Sequence, residues 1–240
     1  MCHHEGIFSK MNVVIYYSNT GESKKIAEFL AEKTGFSLLQ VEEAEKGFYW
    51  NVILVFPVYC QNIPAPVKNF LRQLSAEYLT LVATYGRMCC GNVLYEAQRL
   101  ATCALTVAAA YVPTKHSYLQ EDSFKDYEQL MPLVEKLKNE KDLKLLKIPR
   151  SYKNSFANFA KGWRSRVGVK MWRDENCTHC GKCEKGCAQK GIVSGKTNKN
   201  CIRCMKCVVN CPVSAIRVTN RLPMRLYLKK KKIDKLVLYI

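Results

Sequence analysis

Residues 177–187 read CTHCGKCEKGC, and residues 201–212 read CIRCMKCVVNCP. Each stretch carries four cysteines in the spacing C-x₂-C-x₂-C-x₃-C. The first run contains Cys177, Cys180, Cys183 and Cys187, and the second contains Cys201, Cys204, Cys207 and Cys211. Three thiolates on one tight loop can bind three corners of an iron–sulfur cube, so each run needs a fourth ligand from elsewhere. Two such runs predict two [4Fe–4S] clusters.

Zinc and disulfides explain the two runs less well. A structural zinc site takes about four ligands, usually from C-x₂-C pairs spread over a finger, and does not need a double run. A disulfide framework needs an oxidising compartment, and nothing in the sequence indicates one. His179 lies between two cysteines and could tune or replace a ligand. Because eight thiolates are available, we expect His179 to be a solvent-side or hydrogen-bonding residue.

Residues 170–219 resemble the bacterial two-cluster ferredoxins. The segment Asn176–Cys180 parallels Asn200–Cys204, and the two halves continue into Ile192 and Ile216. The resemblance implies that the last cysteine of each run ligates the other cluster. We therefore expect one cluster on Cys177, Cys180, Cys183 and Cys211, and the other on Cys201, Cys204, Cys207 and Cys187. Ala188 departs from the pattern, because the first run lacks the proline that follows Cys211.

The composition is that of an ordinary soluble protein of one large or two small domains, with 240 residues, 48% hydrophobic and 24% charged. No apolar run reaches the length of a membrane helix, and the first residues lack the apolar core of a secretory signal. Further cysteines lie outside the runs, at Cys2, Cys60, Cys89, Cys90 and Cys103. Thiols and clusters together predict a reducing cytoplasm.

The net charge of +18 is concentrated in the second part of the chain. Residues 1–150 contain 17 Lys and Arg against 16 Asp and Glu, whereas residues 151–240 contain 21 against 4. This jump predicts a domain boundary near Arg150 and an acidic partner for the basic part. The expected division is an N-terminal extension (1–10), an α/β domain (11–147), a basic aromatic linker helix (148–173), a cysteine-rich α+β domain (174–219) and a basic tail (220–240).

Residues 12–17 form an apolar, β-rich run that leads into Ser18, Asn19, Thr20, Gly21, Glu22 and Ser23, after which residues 24–33 show a helical pattern. A strand, a hydroxyl-rich turn and a helix start make an anion site, since backbone N–H groups converge at the positive helix end. Neither G-x-x-x-x-G-K-[ST] nor G-x-G-x-x-G is present. The alternative interpretation is an ordinary helix cap and turn.

Further strands are predicted over 37–41, 51–57, 78–85 and 105–111, with helices starting near 64 and spanning 92–102 and 124–139. Alternating strands and helices predict a doubly wound, five-stranded parallel sheet. We expect the order 2-1-3-4-5, with a ligand at the carboxyl ends of the strands.

The motif S-x-T-G-x-S resembles the FMN phosphate loop of flavodoxins. The resemblance implies FMN, with its phosphate on residues 18–23 and its ring between the loops after the third and fourth strands. The expected ring contacts are Pro57, Val58, Tyr59, Cys60, Asn62, Thr84, Tyr85 and Gly86. Tyr59 is expected to stack on the ring. The loop from Tyr111 to Tyr118 also reaches the flavin edge, and we expect His116 to be structural.

A flavodoxin-like part followed by a two-cluster ferredoxin part, over residues 11–219, resembles the fusion family of EFR-type ferredoxins. Three redox centres without a recognised substrate-binding domain predict an intracellular electron-transfer protein of an anaerobic metabolism, which exchanges electrons with an acidic ferredoxin or flavodoxin or with a reductase. The alternative is a flavin-dependent reductase of a small organic substrate, with Tyr85, His116 and Tyr118 as candidate proton donors. A third hypothesis, a redox sensor that acts on a membrane or nucleic acid, is supported only by the basic charge of residues 151–240. We expect no nucleic-acid partner, and peripheral membrane contact is a lesser alternative.

Overall fold

The computed structural model describes residues 11–119, 122, 124–140, 143–154, 157–158 and 161–240. The predicted extension over residues 1–10 lies outside this described part. The described residues form two compact units. The first unit comprises those within Met1–His116, Gln120–Asn154 and Ile233–Ile240, and the second those within Ser117–Leu119 and Ser155–Lys232. The chain therefore returns to the first unit at its C-terminal end.

The first unit is built on a six-stranded sheet with the order β10-β5-β4-β3-β1-β2. Its strands are β1 (Asn12–Tyr16), β2 (Ser37–Gln40), β3 (Phe48–Pro57), β4 (Ser75–Tyr85), β5 (Cys103–Pro113) and β10 (Val237–Tyr239). Strands β1 to β5 are parallel, with Val14 level with Leu38 and Ile53, and Val55 level with Val82. The predicted order 2-1-3-4-5 is confirmed. The sheet has six strands instead of five, because β10 adds to the β5 edge in antiparallel orientation.

Helices cover both faces of this sheet, which makes it doubly wound. The helices are α1 (Glu22–Thr34), α2 (Ala65–Gln73), α3 (Val93–Leu100) and α4 (Met131–Lys138), and a 3₁₀ turn (Tyr127–Leu130) precedes α4. One apolar core lies between the sheet and α2 with α3, and the second lies between the sheet and α1 with α4. Because both faces are buried, strands β3 to β5 read as continuous apolar runs and not as alternating patterns.

The predicted helix over 124–139 is shorter in the structure. Pro132 lies in the first turn of α4, where its missing N–H costs no intrahelical hydrogen bond, and residues 127–130 form the 3₁₀ turn instead. The predicted basic tail over 220–240 is divided between the two units. Residues 237–239 form β10 of the first unit, whereas residues 222–228 form a helix of the second.

The second unit consists of small elements around one apolar cluster. Its elements are α5 (Lys161–Gly168), β6 (Val169–Arg173), α6 (Lys182–Lys185), β7 (Ile192–Val193), β8 (Lys196–Thr197), α7 (Lys206–Val209), β9 (Ile216–Asn220) and α8 (Leu222–Leu228). Strands β6 and β9 pair antiparallel, as do β7 and β8. Val169, Met171, Ile192, Met205 and Ile216 form the buried cluster.

The predicted linker helix over 148–173 is helical only in α5 within the described part of the chain. Residues 169–173 are a strand, since Val169 and Met171 are buried while Lys170 and Trp172 are exposed. That alternation has the period of two residues that defines a half-buried strand. Phe156 and Phe159, two aromatic residues of the predicted linker helix, lie outside the described residues. Among the described helices, none has the length and apolar character needed to cross a membrane.

Candidate functional site

The carboxyl ends of β1, β3 and β4 bring three predicted flavin loops to one edge of the sheet. The loop after β1 closes on itself, because the amide of Gly21 donates to Oγ of Ser18 at 3.1 Å. Gly21 has a φ of 92°, a left-handed conformation that glycine adopts without steric cost, and α1 begins at the next residue. The sequence therefore folds into a strand, a tight turn and a helix N-terminus without a side-chain cap, which is the geometry of an anion site.

Asn19 links the first two loops, a role that the sequence analysis did not predict. Its Nδ2 donates to the hydroxyl of Tyr59 at 2.8 Å and to the hydroxyl of Tyr17 at 3.2 Å. Asn19 is buried, and its Oδ1 has no hydrogen-bond partner among the described residues. An unsatisfied buried oxygen is costly, so this atom marks a place where a ligand donor would be stabilising. The sequence signal for Asn19 was its place inside the predicted anion loop.

Ser23 and Thr84 connect the first loop to the end of β4. Their hydroxyl oxygens lie 2.8 Å apart and both residues are buried. The carboxylate of Glu22 is buried at the start of α1, where it lies 3.4 Å from Nζ of Lys25 and 3.5 Å from Nζ of Lys115. These two ammonium groups offset a negative charge that would otherwise oppose a phosphate at the helix N-terminus.

The loop after β3 is a two-residue turn. Backbone hydrogen bonds join Tyr59 and Asn62 in both directions, at 3.0 and 2.9 Å. The central residues, Cys60 and Gln61, have φ values of 50° and 61°, as a type I′ turn requires. The side-chain Nδ2 of Asn62 donates to the carbonyl of Cys60, and its Oδ1 accepts from Nζ of Lys153 at 3.0 Å. The side chain of Asn62 therefore holds this turn in place.

The predicted ring-edge residues at the end of β4 are tightly held. The amide of Val58, which follows Pro57, donates to the carbonyl of Thr84 at 2.8 Å. The hydroxyl of Tyr85 donates to the carbonyls of Lys235 and Ile233, at 2.6 and 3.1 Å, and burial raises the pKa of Tyr85 to about 12. A Cβ on Gly86 would lie 2.8 Å from Cδ2 of His116, so His116 packs directly over that glycine.

The two cysteine runs of the second unit have the same backbone, offset by 24 positions (from 177 to 201). Left-handed residues recur in matching pairs: His179 and Arg203, Gly181 and Met205, Lys190 and Ser214. Helices α6 and α7 begin at matching positions, Lys182 and Lys206. A left-handed conformation costs a non-glycine residue roughly 1–2 kcal/mol, so its recurrence at the same steps indicates two loops shaped for the same purpose.

Backbone amides point at the sulfur of the last cysteine in each run. The amide of Gly191 donates to Sγ of Cys187, and the amide of Ala215 donates to Sγ of Cys211, both at 3.2 Å. Backbone geometry after these cysteines also matches, with φ values of 48° at Lys190 and 49° at Ser214. The chain after Cys187 therefore keeps its shape although Ala188 stands where the second run has Pro212.

A cavity of about 420 Å³ lies at the first predicted cluster position. Its lining includes all four cysteines of the first predicted ligand set, namely Cys177, Cys180, Cys183 and Cys211. Three of these come from the first run, and the fourth comes from the far end of the second run. The fold thus brings together residues that are separated by more than one loop, in the grouping that the ferredoxin resemblance implies.

The thiols of the second predicted ligand set are affected more strongly by burial than those of the first. The pKa of the Cys207 thiol is raised to about 12, chiefly by burial and also by the nearby thiols of Cys204, Cys201, Cys187 and Cys183. Burial also raises the pKa of Cys204, and Cys187 is again among its charged neighbours. Cys187 therefore lies near Cys204 and Cys207 of the second run.

Within the described residues, no three His, Cys, Asp or Glu side chains converge closely enough to hold a single metal ion. A cubane cluster has a different ligand geometry, because each cysteine binds a different iron and the four sulfurs stand apart with the cube between them.

Tyr118, a candidate proton donor in the predicted flavin loop, belongs to the second unit. Its hydroxyl donates to the carbonyl of Arg203 at 2.8 Å.

No protein-family model matches this chain, and no curated protein matches it. Solved structures with some similarity include a protein from Bacteroides uniformis ATCC 8492 named as a flavoprotein, with 13% identity and a TM-score of 0.40, covering 52% of this chain and 99% of that one. A flavodoxin from the domain Archaea has 14% identity and a TM-score of 0.39, covering 53% and 99%. The Trp repressor binding protein of Bacillus subtilis has 12% identity and a TM-score of 0.32, covering 54% and 98%. These scores are too low to support an argument, so the fold assignment rests on the strand order of this chain.

Proposed function

We propose that this chain is an electron-transfer protein that binds FMN in its first unit and two [4Fe–4S] clusters in its second. It would then be a flavodoxin–ferredoxin fusion of the EFR type. The observation that supports this best is the convergence of Cys177, Cys180, Cys183 and Cys211 on one cavity, from two runs with matching backbones. When bound, the clusters would pass one electron at a time, and FMN would exchange one or two.

The hydrogen-bond donors beside the cysteines are suited to ionised, iron-bound sulfurs. The amides of Gly191 and Ala215 donate to the sulfurs of Cys187 and Cys211. The guanidinium of Arg203 donates to the sulfur of Cys201 at 2.9 Å. Donors of this kind stabilise an ionised sulfur, which is the form that ligates iron.

The first unit fits the phosphate of FMN at the start of α1. No side chain caps the helix N-terminus that follows the turn over residues 18–21, and the unsatisfied Oδ1 of Asn19 lies in the same loop. Lys25 and Lys115 add positive charge beside Glu22. The loop offers one phosphate site and no pyrophosphate fingerprint, which favours FMN over FAD.

A carrier is favoured over a reductase by the state of the candidate proton donors. The hydroxyls of Tyr85 and Tyr118 both donate to backbone carbonyls, and Tyr85 is buried. His116 packs on Gly86, which supports a structural role for it. An acidic redox protein remains the proposed partner, because residues 151–240 contain 21 Lys and Arg against 4 Asp and Glu.

The composition of the anaerobically purified protein tests this proposal. We expect about eight iron, eight sulfide and one FMN per chain, with stepwise bleaching in a reductive titration. Tightly bound zinc without a brown chromophore would contradict the clusters. A protein that contains iron and sulfide but does not bind added FMN would contradict only the flavin site.

Removal of hydroxyls from the anion loop tests the position of FMN. Thr20→Ala and Ser23→Ala should each weaken FMN binding by about 1.5–3 kcal/mol, because each removes a donor to a charged group. Affinity is measured by flavin fluorescence, with Thr102→Ala at an exposed threonine as the control.

Ser23 also pairs with Thr84, so the free energy of unfolding of the flavin-free protein is measured in parallel. Variants that lose stability but bind FMN as tightly as the parent would show that these hydroxyls are purely structural.

A further inference from the structure

We propose that Arg203 binds the sulfur of Cys201 and thereby raises the reduction potential of the cluster on Cys201, Cys204, Cys207 and Cys187. This inference rests on the proposed function and adds to it a residue that makes the two clusters of the chain unequal. Arg203 is not a ligand. It would act through Cys201, and is therefore a positioning and tuning residue.

The side chain of Arg203 is buried and aimed at the cysteine. Only 7% of the residue is exposed. Its Nε donates to the carbonyl of Val169 in β6 at 3.0 Å, and its Nη1 donates to Sγ of Cys201 at 2.9 Å. Two hydrogen bonds from one planar group fix the direction of the guanidinium, so its charge stays at a constant distance from the sulfur.

The backbone of Arg203 is held as firmly as its side chain. Arg203 has a φ of 58°, a conformation that a non-glycine residue keeps only where its surroundings enforce it. The hydroxyl of Tyr118 donates to its carbonyl at 2.8 Å, and Nδ2 of Asn220 in β9 donates to the carbonyl of Tyr118 at 3.3 Å. Arg203 therefore contacts β6 directly, and Tyr118 links it to the end of β9.

The charge of Arg203 is not balanced by a carboxylate in the described part of the chain. The carboxylates nearest in sequence are engaged elsewhere: Asp174 pairs with Arg217, and Glu184 accepts from the amide of Gly195. A buried cation needs a counter-charge or strong acceptors. An ionised, iron-bound Cys201 sulfur supplies that charge.

Reduction adds one negative charge to the cluster and its sulfurs. A fixed cation at hydrogen-bond distance stabilises the more negative state, so the reduced form is favoured and the potential rises. The matching residue of the first run is His179, which is exposed and whose Nδ1 lies 3.3 Å from Nη1 of Arg173. The first run thus has an exposed histidine where the second has a buried guanidinium.

The test is a redox titration of the full chain, followed by EPR, with Arg203→Gln compared with the parent. We expect one of two one-electron midpoints to fall by about 59 mV, which corresponds to a tenfold change in the ratio of reduced to oxidised cluster. The other midpoint should stay unchanged. Arg203→Lys keeps the charge and should shift the ratio by less, about threefold. Arg221→Gln removes an exposed arginine and should shift neither midpoint.

Iron and sulfide are measured on the same samples, which distinguishes a failure of the role of Arg203 from a failure of the proposed function. Two complete clusters with both midpoints unchanged in Arg203→Gln would overturn the role of Arg203 and leave the proposed function standing. A parent protein without iron and sulfide would overturn both. If Arg203→Gln loses its clusters, pulsed EPR of parent protein labelled with ¹⁵N-arginine should show a nitrogen coupled to one cluster. That coupling should vanish in Arg203→Lys, and identical spectra would contradict the proposal.

Discussion

In the first cysteine run Cys180 is exposed, and the pKa of its thiol is lowered chiefly by a hydrogen bond from the backbone of Lys182. Its counterpart in the second run, Cys204, has the matching hydrogen bond from the backbone of Lys206. Burial nevertheless dominates there and raises the pKa of Cys204. The two loops therefore share their hydrogen-bond geometry and differ in solvation.

The same contrast recurs along the repeat. Gly181 in the first run corresponds to Met205 in the second, which is only 4% exposed and belongs to the apolar cluster of the second unit. His179 is exposed, whereas Arg203 is buried. An internal repeat can thus keep one backbone while its surroundings give each copy a different electrostatic environment. For two clusters, that difference would separate their potentials.

The largest expected effect comes from removing a ligand in the buried run. Cys204→Ala should reduce iron from about eight to about four per chain and lower the melting temperature strongly, because cluster binding and folding of small metal domains are coupled. Cys180→Ala should also remove four iron but lower the melting temperature less, since its surroundings are already exposed.

Iron analysis and thermal unfolding under anaerobic conditions measure both effects, with Cys103→Ala, at a half-buried cysteine outside the runs and the flavin loops, as the control. Equal loss of stability at positions 180 and 204 would contradict the contrast between an open and a buried run.

A second expected effect concerns the speed of electron transfer to an acidic ferredoxin. Reversing Lys182, Lys185 and Lys206 to glutamate should slow reduction more than reversing Lys229, Lys230 and Lys231. The first three flank the cysteines, whereas the last three lie in the tail, and both sets change the net charge equally. Opposite-charge steering raises encounter rates 10- to roughly 1,000-fold at low salt, and screening removes most of it near 0.5 M, where the Debye length is about 4 Å.

Stopped-flow rates over a salt series distinguish the two lysine sets. Rates that ignore salt, or that fall only for the tail variant, would mean that the basic surface serves another purpose than docking at the clusters. A salt-dependent loss confined to the set beside the cysteines would support docking of the partner at the clusters.

The smallest expected effect comes from making the two runs more alike. Ala188→Pro introduces the proline that the second run has at Pro212, at a place where the following backbone already matches. A proline at a compatible position restricts the unfolded chain and should stabilise the protein by about 0.4–1 kcal/mol. Chemical denaturation with both clusters in place measures this. A loss of stability would show that the loops differ at position 188 itself.

Much of the fold could be predicted from the sequence because local signals agreed with the tertiary structure. The apolar runs over 51–57 and 105–111 lie in β3 and β5, and the turn before Glu22 leads into α1. The cysteine spacing also placed His179 and Arg203 on equivalent turns. These features depend on short-range sterics and on burial of contiguous apolar residues, which a sequence displays directly.

Other features had no local signal. Strand β10 is only three residues long and pairs with β5, a strand more than a hundred positions earlier in the chain. The alternation of buried and exposed side chains over residues 169–173 is too short to be distinguished in the sequence from a continuation of the predicted linker helix. Asn19 was predicted as part of the anion loop, but its contact with Tyr59, forty residues later, had no signal in the sequence.

The sequence by itself determined the class of sheet, the two repeated cysteine loops and the turn before α1, because these follow from spacing, periodicity and glycine placement. Only the tertiary structure decided which copy of the repeat is buried, which cation lies against Cys201, and which strand closes the sheet edge. Burial and charge contacts depend on residues distant in sequence, such as Val169 and Tyr118 around Arg203. They arise from packing, and no local pattern encodes them.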